Sequence, residues 1–96
     1  MVKIVAKMHA KETPPAECLA IAKELVEKTN ALDRGCIGYE FCQDANDPLG
    51  FAMMEQWESQ EALDAHMKSA HFTSLVPEMD AYFDGPTDIE AYKKLY

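Results

Sequence analysis

His66 and His71 stand five residues apart in the stretch "EQWESQEALDAHMKSAHF", residues 55 to 72, which opens with Glu55 and Trp57. An imidazole exchanges its proton near neutrality, so either histidine could act as a general base. A carboxylate such as Glu55 could orient that base, fix its tautomer and raise its pKa. Trp57, Tyr39, Phe72 and Met53 would supply apolar walls, which suit a flat aromatic ligand. Each residue also has a plainer reading. Trp57 can anchor a strand-to-helix corner, Glu55 can pair with a lysine, and the histidines can pack or cap. A metal reading would take His66, His71 and Glu55 as a two-histidine, one-carboxylate set. On a continuous helix five residues turn the two rings apart by about 140°, so no metal is expected. A break near Ser69 would bring them together.

The elements that must position these groups follow from periodicity. "VKIVAKMHA" (residues 2–10) near-alternates as a strand. Ile4, Ala6 and Met8 point one way; Lys3, Lys7 and His9 point the other, to an edge or surface. "TPPAE" opens a helix, with Thr13 as a cap and the prolines in its first turn. Cys18, Ile21, Ala22, Leu25, Val26 and Thr29 make its apolar stripe. Gly35 stops the connection. "CIGYEFCQD", the turn "ANDPLG" and "FAMMEQWE" form a hairpin, in which Ile37, Tyr39 and Phe41 share a face. Ser59 caps a second helix to about Lys68, with Ala62, Leu63, His66 and Met67 on one stripe. His66 is therefore expected against the sheet, facing a cavity, with His71 at the rim. A further helical stretch runs from about Ala70 to Phe83, kinked at Pro77. "DGP" breaks it, and "TDIEAYKKLY" is the last strand.

The order β-α-β-β-α-β predicts a single α+β domain over residues 1–96, ferredoxin-like with a four-stranded antiparallel sheet. "FAMMEQWE" is apolar on both parities, so the helix-free sheet face should also be covered. A second copy under twofold symmetry is the simplest cover, and a homodimer is expected. A chain of 96 residues buries only about 65% of its unfolded surface alone, which favours the same outcome.

Charge narrows the partners. The net charge is −8, and the acid is concentrated late: residues 49–96 carry 3 basic and 9 acidic side chains. Nucleic acid and anionic membrane surfaces are thereby disfavoured. Cys18, Cys36 and Cys42 form no C-x-x-C. Cys36 and Cys42 fall on one parity of the second strand, too far apart to bridge. Free thiols in a reducing cytoplasm are expected. No segment reaches membrane-spanning length, no signal-peptide pattern opens the chain, and no Gly-rich fingerprint marks a flavin or nicotinamide site.

"GCIGYEFCQDANDP", the 55–72 stretch, and "GP" before the last strand together resemble the antibiotic biosynthesis monooxygenase family, which includes quinol monooxygenases. The resemblance covers nearly the whole chain. It implies a dimeric α+β barrel, a pocket between sheet and helices in each subunit, and oxygen chemistry without a cofactor. One haem-degrading branch of this fold uses an Asn, a Trp and a His where this chain holds Met8, His66 and Val76, so haem chemistry is not expected. Another branch, acting on a phosphorylated signal, shares the His-x-x-x-x-His spacing. The expectation is a cofactor-independent monooxygenase for a small quinol, phenol or enolisable aromatic, using dioxygen. His66 or His71 would be the base, Glu55 its orienting group. The alternatives are a signal-molecule isomerase of the same fold and a non-catalytic dimeric module that binds a small ligand.

Overall fold

The computed structural model describes all 96 residues. Seven elements follow one another: β1 (Val2–Ala10), α1 (Ala16–Leu32), β2 (Cys36–Gln43), β3 (Gly50–Trp57), α2 (Gln60–Met67), α3 (Ala70–Asp80) and β4 (Phe83–Lys93). The strands form one sheet in the order β2-β3-β1-β4, and every neighbouring pair is antiparallel. This is the ferredoxin-like α+β arrangement expected, with two helices in the second crossover.

Alternation decides which face is covered. Ile4, Ala6, Met8 and Ala10 of β1 are buried, as are Phe51, Met53, Glu55 and Trp57 of β3. They meet Cys18, Ala22 and Leu25 of α1, Leu63 of α2, and Leu75 and Met79 of α3 in one core. The other face carries Lys7 and His9, both exposed, with Val5 and Ala52 partly covered and Met54 46% exposed. A groove of about 610 Å³ runs over that bare face between the 44–50 turn and the start of β4.

Several local expectations are corrected. The position before α1 is Pro15, and no side chain caps it, so Thr13 is not the cap. The backbone folds on from Pro14–Pro15 because proline fixes φ without needing a donor. A register shift between Cys36 and Gly38 marks a bulge in β2. The extra residue turns Ile37 outward, 48% exposed, away from Tyr39 and Phe41. It also reverses parity, so Cys36 lies beside core-facing Trp57 while Cys42 lies beside Ala52 on the bare face. All three cysteines are free. Met67 is 42% exposed, because α2 is only 8 residues long and buries just Leu63 and His66. α3 runs on through Pro77 but ends at Asp80. β4 then begins at Phe83, and "DGP" lies inside it. Gly85, at φ +64°, lets the strand bend there.

Candidate functional site

Three helix ends meet at one point. Asp33 is the C-terminal cap of α1, and its backbone N–H bonds to Thr29 O. His66 lies in the last turn of α2, and His71 in the first turn of α3. Between them the helix breaks. The Ser69 hydroxyl donates to His66 O at 2.6 Å and accepts from the Phe72 N–H at 3.3 Å, ending one helix and starting the next. The break removes the angular separation a continuous helix would impose, and the two imidazole rings stand 6.0 Å apart.

The partner of both histidines is Asp33. Its Oδ2 lies 2.5 Å from His66 Nδ1. His71 Nε2 is 3.0 Å from each carboxylate oxygen. The side chains of Asp33, His66 and His71 are only 9%, 1% and 7% exposed. A carboxylate accepts and does not donate, so Nδ1 of His66 carries the ring proton and Nε2 of the neutral ring holds a lone pair. That Nε2 is fully enclosed and has no protein partner. Burial pushes the His66 pKa below the usual imidazole value, and the bond and charge of Asp33 oppose this only in part.

Aromatic rings surround His66. Trp57 lies 4.7 Å away between ring centres, Phe72 4.9 Å and edge-on, and Tyr39 5.1 Å. Tyr39 is 3% exposed. Burial and the nearby Glu55, Cys36 and Asp33 raise the phenol pKa well above its ordinary range. Phe72 is half-buried and forms the outer wall. Met53 sits farther along β3, between Ala6 and Phe41 of the neighbouring strands.

Glu55 does not take the orienting role. Its Oε1 accepts from Trp57 Nε1 at 2.9 Å, since residues two apart on a strand project from the same face. Burial raises its pKa to about 7, against the lowering effect of the indole bond. The sequence put the wrong carboxylate beside the histidines. One signal for Asp33 was available. An acidic residue at a helix C-terminus opposes the helix dipole, and the last turn of α1 has no basic residue. Such a misfit points to a partner elsewhere in the fold. His66 is buried against the sheet as its stripe required, but His71 is buried as well, at 8% against 2%, held on Asp33 rather than standing at a rim. The 610 Å³ groove is lined by neither histidine.

Comparison with known proteins identifies relatives. The profile of the family described as "Antibiotic biosynthesis monooxygenase" matches residues 1–78. A crystal structure of an antibiotic biosynthesis monooxygenase superposes with a TM-score of 0.90 at 31% identity, covering 100% of both chains. YcnE of Bacillus subtilis, a candidate monooxygenase by name, is 26% identical over 89 residues, 93% of each chain. An uncharacterised protein of Synechocystis sp. is 26% identical over 90 residues. These are 94% of this chain but only 60% of that longer relative.

Proposed function

The chain belongs to the antibiotic biosynthesis monooxygenase family, and from that premise we propose that it is a cofactor-independent monooxygenase oxidising a small quinol or phenol with dioxygen. One observation supports this above others. His66 presents a buried, unpartnered Nε2 among Trp57, Tyr39 and Phe72, while Asp33 holds the proton on Nδ1. That is the state a general base must be in before it acts. His71 secures Asp33 from the other side.

The chemistry asks little of the protein. His66 Nε2 takes a hydroxyl proton from the quinol, and Asp33 steadies the imidazolium that forms. The quinol anion passes one electron to dioxygen. Superoxide and the semiquinone combine, making a carbon–oxygen bond. Loss of water from the resulting hydroperoxide leaves a hydroxylated quinone, so one oxygen atom enters the ring and the other leaves as water. Apolar walls keep water from competing for the proton. Substrate reaches Nε2 by displacing Phe72, the half-buried outer wall, while Asp33 keeps His66 in place. The working form is a homodimer that covers the bare sheet face.

A second possibility, a non-catalytic dimeric module that binds a small ligand, is favoured by the position of the 610 Å³ groove, on the face opposite His66. A quinol panel incubated with metal-free protein and dioxygen separates the two. Oxygen uptake that His66→Ala abolishes supports the oxygenase. Binding without uptake supports the module.

A further inference from the structure

We infer that Asp33, His66 and His71 form a latent chelate for one divalent transition ion of the zinc or cobalt(II) type, which switches the base off when it binds. The switching rests on the function proposed above; the chelate does not.

One carboxylate oxygen and two imidazole nitrogens lie within 4.8 Å of one another. A tetrahedral ion bonded at about 2.0–2.2 Å holds its donor atoms roughly 3.3 Å apart. The two nitrogens now stand 2.5 and 3.0 Å from the carboxylate, so each needs to part from it by less than about 1 Å. With every donor pair within 4.8 Å, the two nitrogens need to close by no more than about 1.5 Å. The ion would replace the two N–H protons that now bridge them. Two imidazoles select a borderline transition ion, whereas magnesium and calcium take oxygen ligands. The ligands are also held in place before any ion arrives. The backbone of Asp33 closes α1 onto Thr29, and the Ser69 hydroxyl ties His66 O to the start of α3.

The same geometry limits affinity. An ion on His66 Nδ1 sends the ring proton to Nε2, with no net release. Metal-bound imidazoles ordinarily give that second N–H to an oxygen. Here Nε2 has no such acceptor, and the His66 ring is packed among Trp57, Phe72 and Tyr39. The site thus forgoes about 10- to 100-fold in affinity relative to a fully supported one. It suits an ion that comes and goes with concentration, rather than a resident one. With the proton on Nε2, His66 can no longer accept one from substrate.

The test uses the full chain without a tag, freed of metal by chelator and titrated with cobalt(II). Expected are one ion per chain, the strong visible absorption of a four-coordinate complex, and its loss on adding zinc. His71→Gln should weaken binding at least tenfold. His9→Gln, which removes the exposed His9–Asp47 pair at 3.1 Å, should leave it unchanged. In the wild type, imidazole nitrogen NMR should show zinc moving the His66 proton from Nδ1 to Nε2. Equal binding by His71→Gln overturns the chelate, as does a zinc response confined to His9. If His71→Gln does not fold, the wild-type NMR result decides alone. Neither readout needs turnover, so an inactive protein that still binds cobalt here refutes the oxygenase and leaves the chelate standing.

Discussion

Asp33 and His66 are 33 residues apart in sequence and share a 2.5 Å hydrogen bond. The contact joins the end of the first helix to the end of the second. Removing either side leaves a buried group without its partner. His66→Ala should lower quinol turnover by about 10²-fold or more, as loss of a general base does, while sedimentation still shows the dimer. Unchanged turnover with lowered stability would make His66 a core residue only. Asp33→Ala strips both histidines of their acceptor and should destabilise the fold by about 1–3 kcal/mol, measured by urea unfolding.

Glu55 should make stability depend on pH. Its carboxyl group is raised in the fold from 4.5 to about 7, so between those values the native state binds more protons than the unfolded chain. Stability from this group is therefore full below pH 4.5 and lost as pH rises toward 7. Glu55→Gln keeps an acceptor for Trp57 Nε1 and never ionises. At pH 8 it should be the more stable protein by up to about 3 kcal/mol, and at pH 4.5 nearly equal. A constant difference across that range in urea titrations would remove Glu55 from the account.

Gly35 has φ +84°, and a Cβ there would lie 2.6 Å from the Ala62 Cβ. Its carbonyl also accepts from the Glu58 N–H at 2.8 Å, pinning the connection before β2 to the start of α2. Gly35→Ala thus carries both backbone strain and a clash and should lose about 2 kcal/mol or more. Gly85→Ala, at φ +64° in open space, should lose only the strain, about 1 kcal/mol. Thermal unfolding of the two variants gives the comparison.

The bare sheet face predicts the fourth outcome. Met54 and Tyr92 are 46% and 53% exposed. Both flank β1 on that face, where Tyr92 pairs with Lys3 and Met54 with Val5. Met54→Glu should convert the dimer to monomer at micromolar concentration, read by sedimentation. A wild-type monomer under the same conditions would refute the dimer itself.

The sequence was most legible where one residue type could face only one way. Alternation in β1 set Ile4, Ala6 and Met8 apart from the exposed Lys7 and His9, as the fold has them, whereas β3, apolar on both parities, left open which of its faces holds the core. Ser59 capped α2 as expected, through its bond from the Ala62 N–H. Legibility failed where one residue changes the phase. The β2 bulge is marked in "CIGYEF" only by Gly38, a residue that sits equally well in a regular strand, yet it reverses Ile37 and separates Cys36 from Cys42. Tyr82 and Phe83 extend the apolar spacing of α3, but Phe83 belongs to β4 and packs edge-on against Phe51. Asp33 was one of 17 carboxylates; its place at a helix C-terminus hints at a partner elsewhere, and the fold shows that the partner is the histidine pair. Glu55 misled because its nearest partner, the Trp57 indole, stood two residues away and was read as a wall.

The helix break at Ser69 bears on how such chains can diverge. A single hydroxyl fixes both the tail of one helix and the head of the next, so the histidine spacing is set by a joint rather than by helical pitch. Exposed residues on either side, such as Lys68 and Thr73, can change while the joint and the buried side chains around it survive. Insertion of one residue between His66 and His71 would break their shared grip on Asp33 even if the sheet were untouched. Relatives that keep the sheet but lengthen this joint should have lost the histidine pair as a working unit, and shape alone would not reveal it.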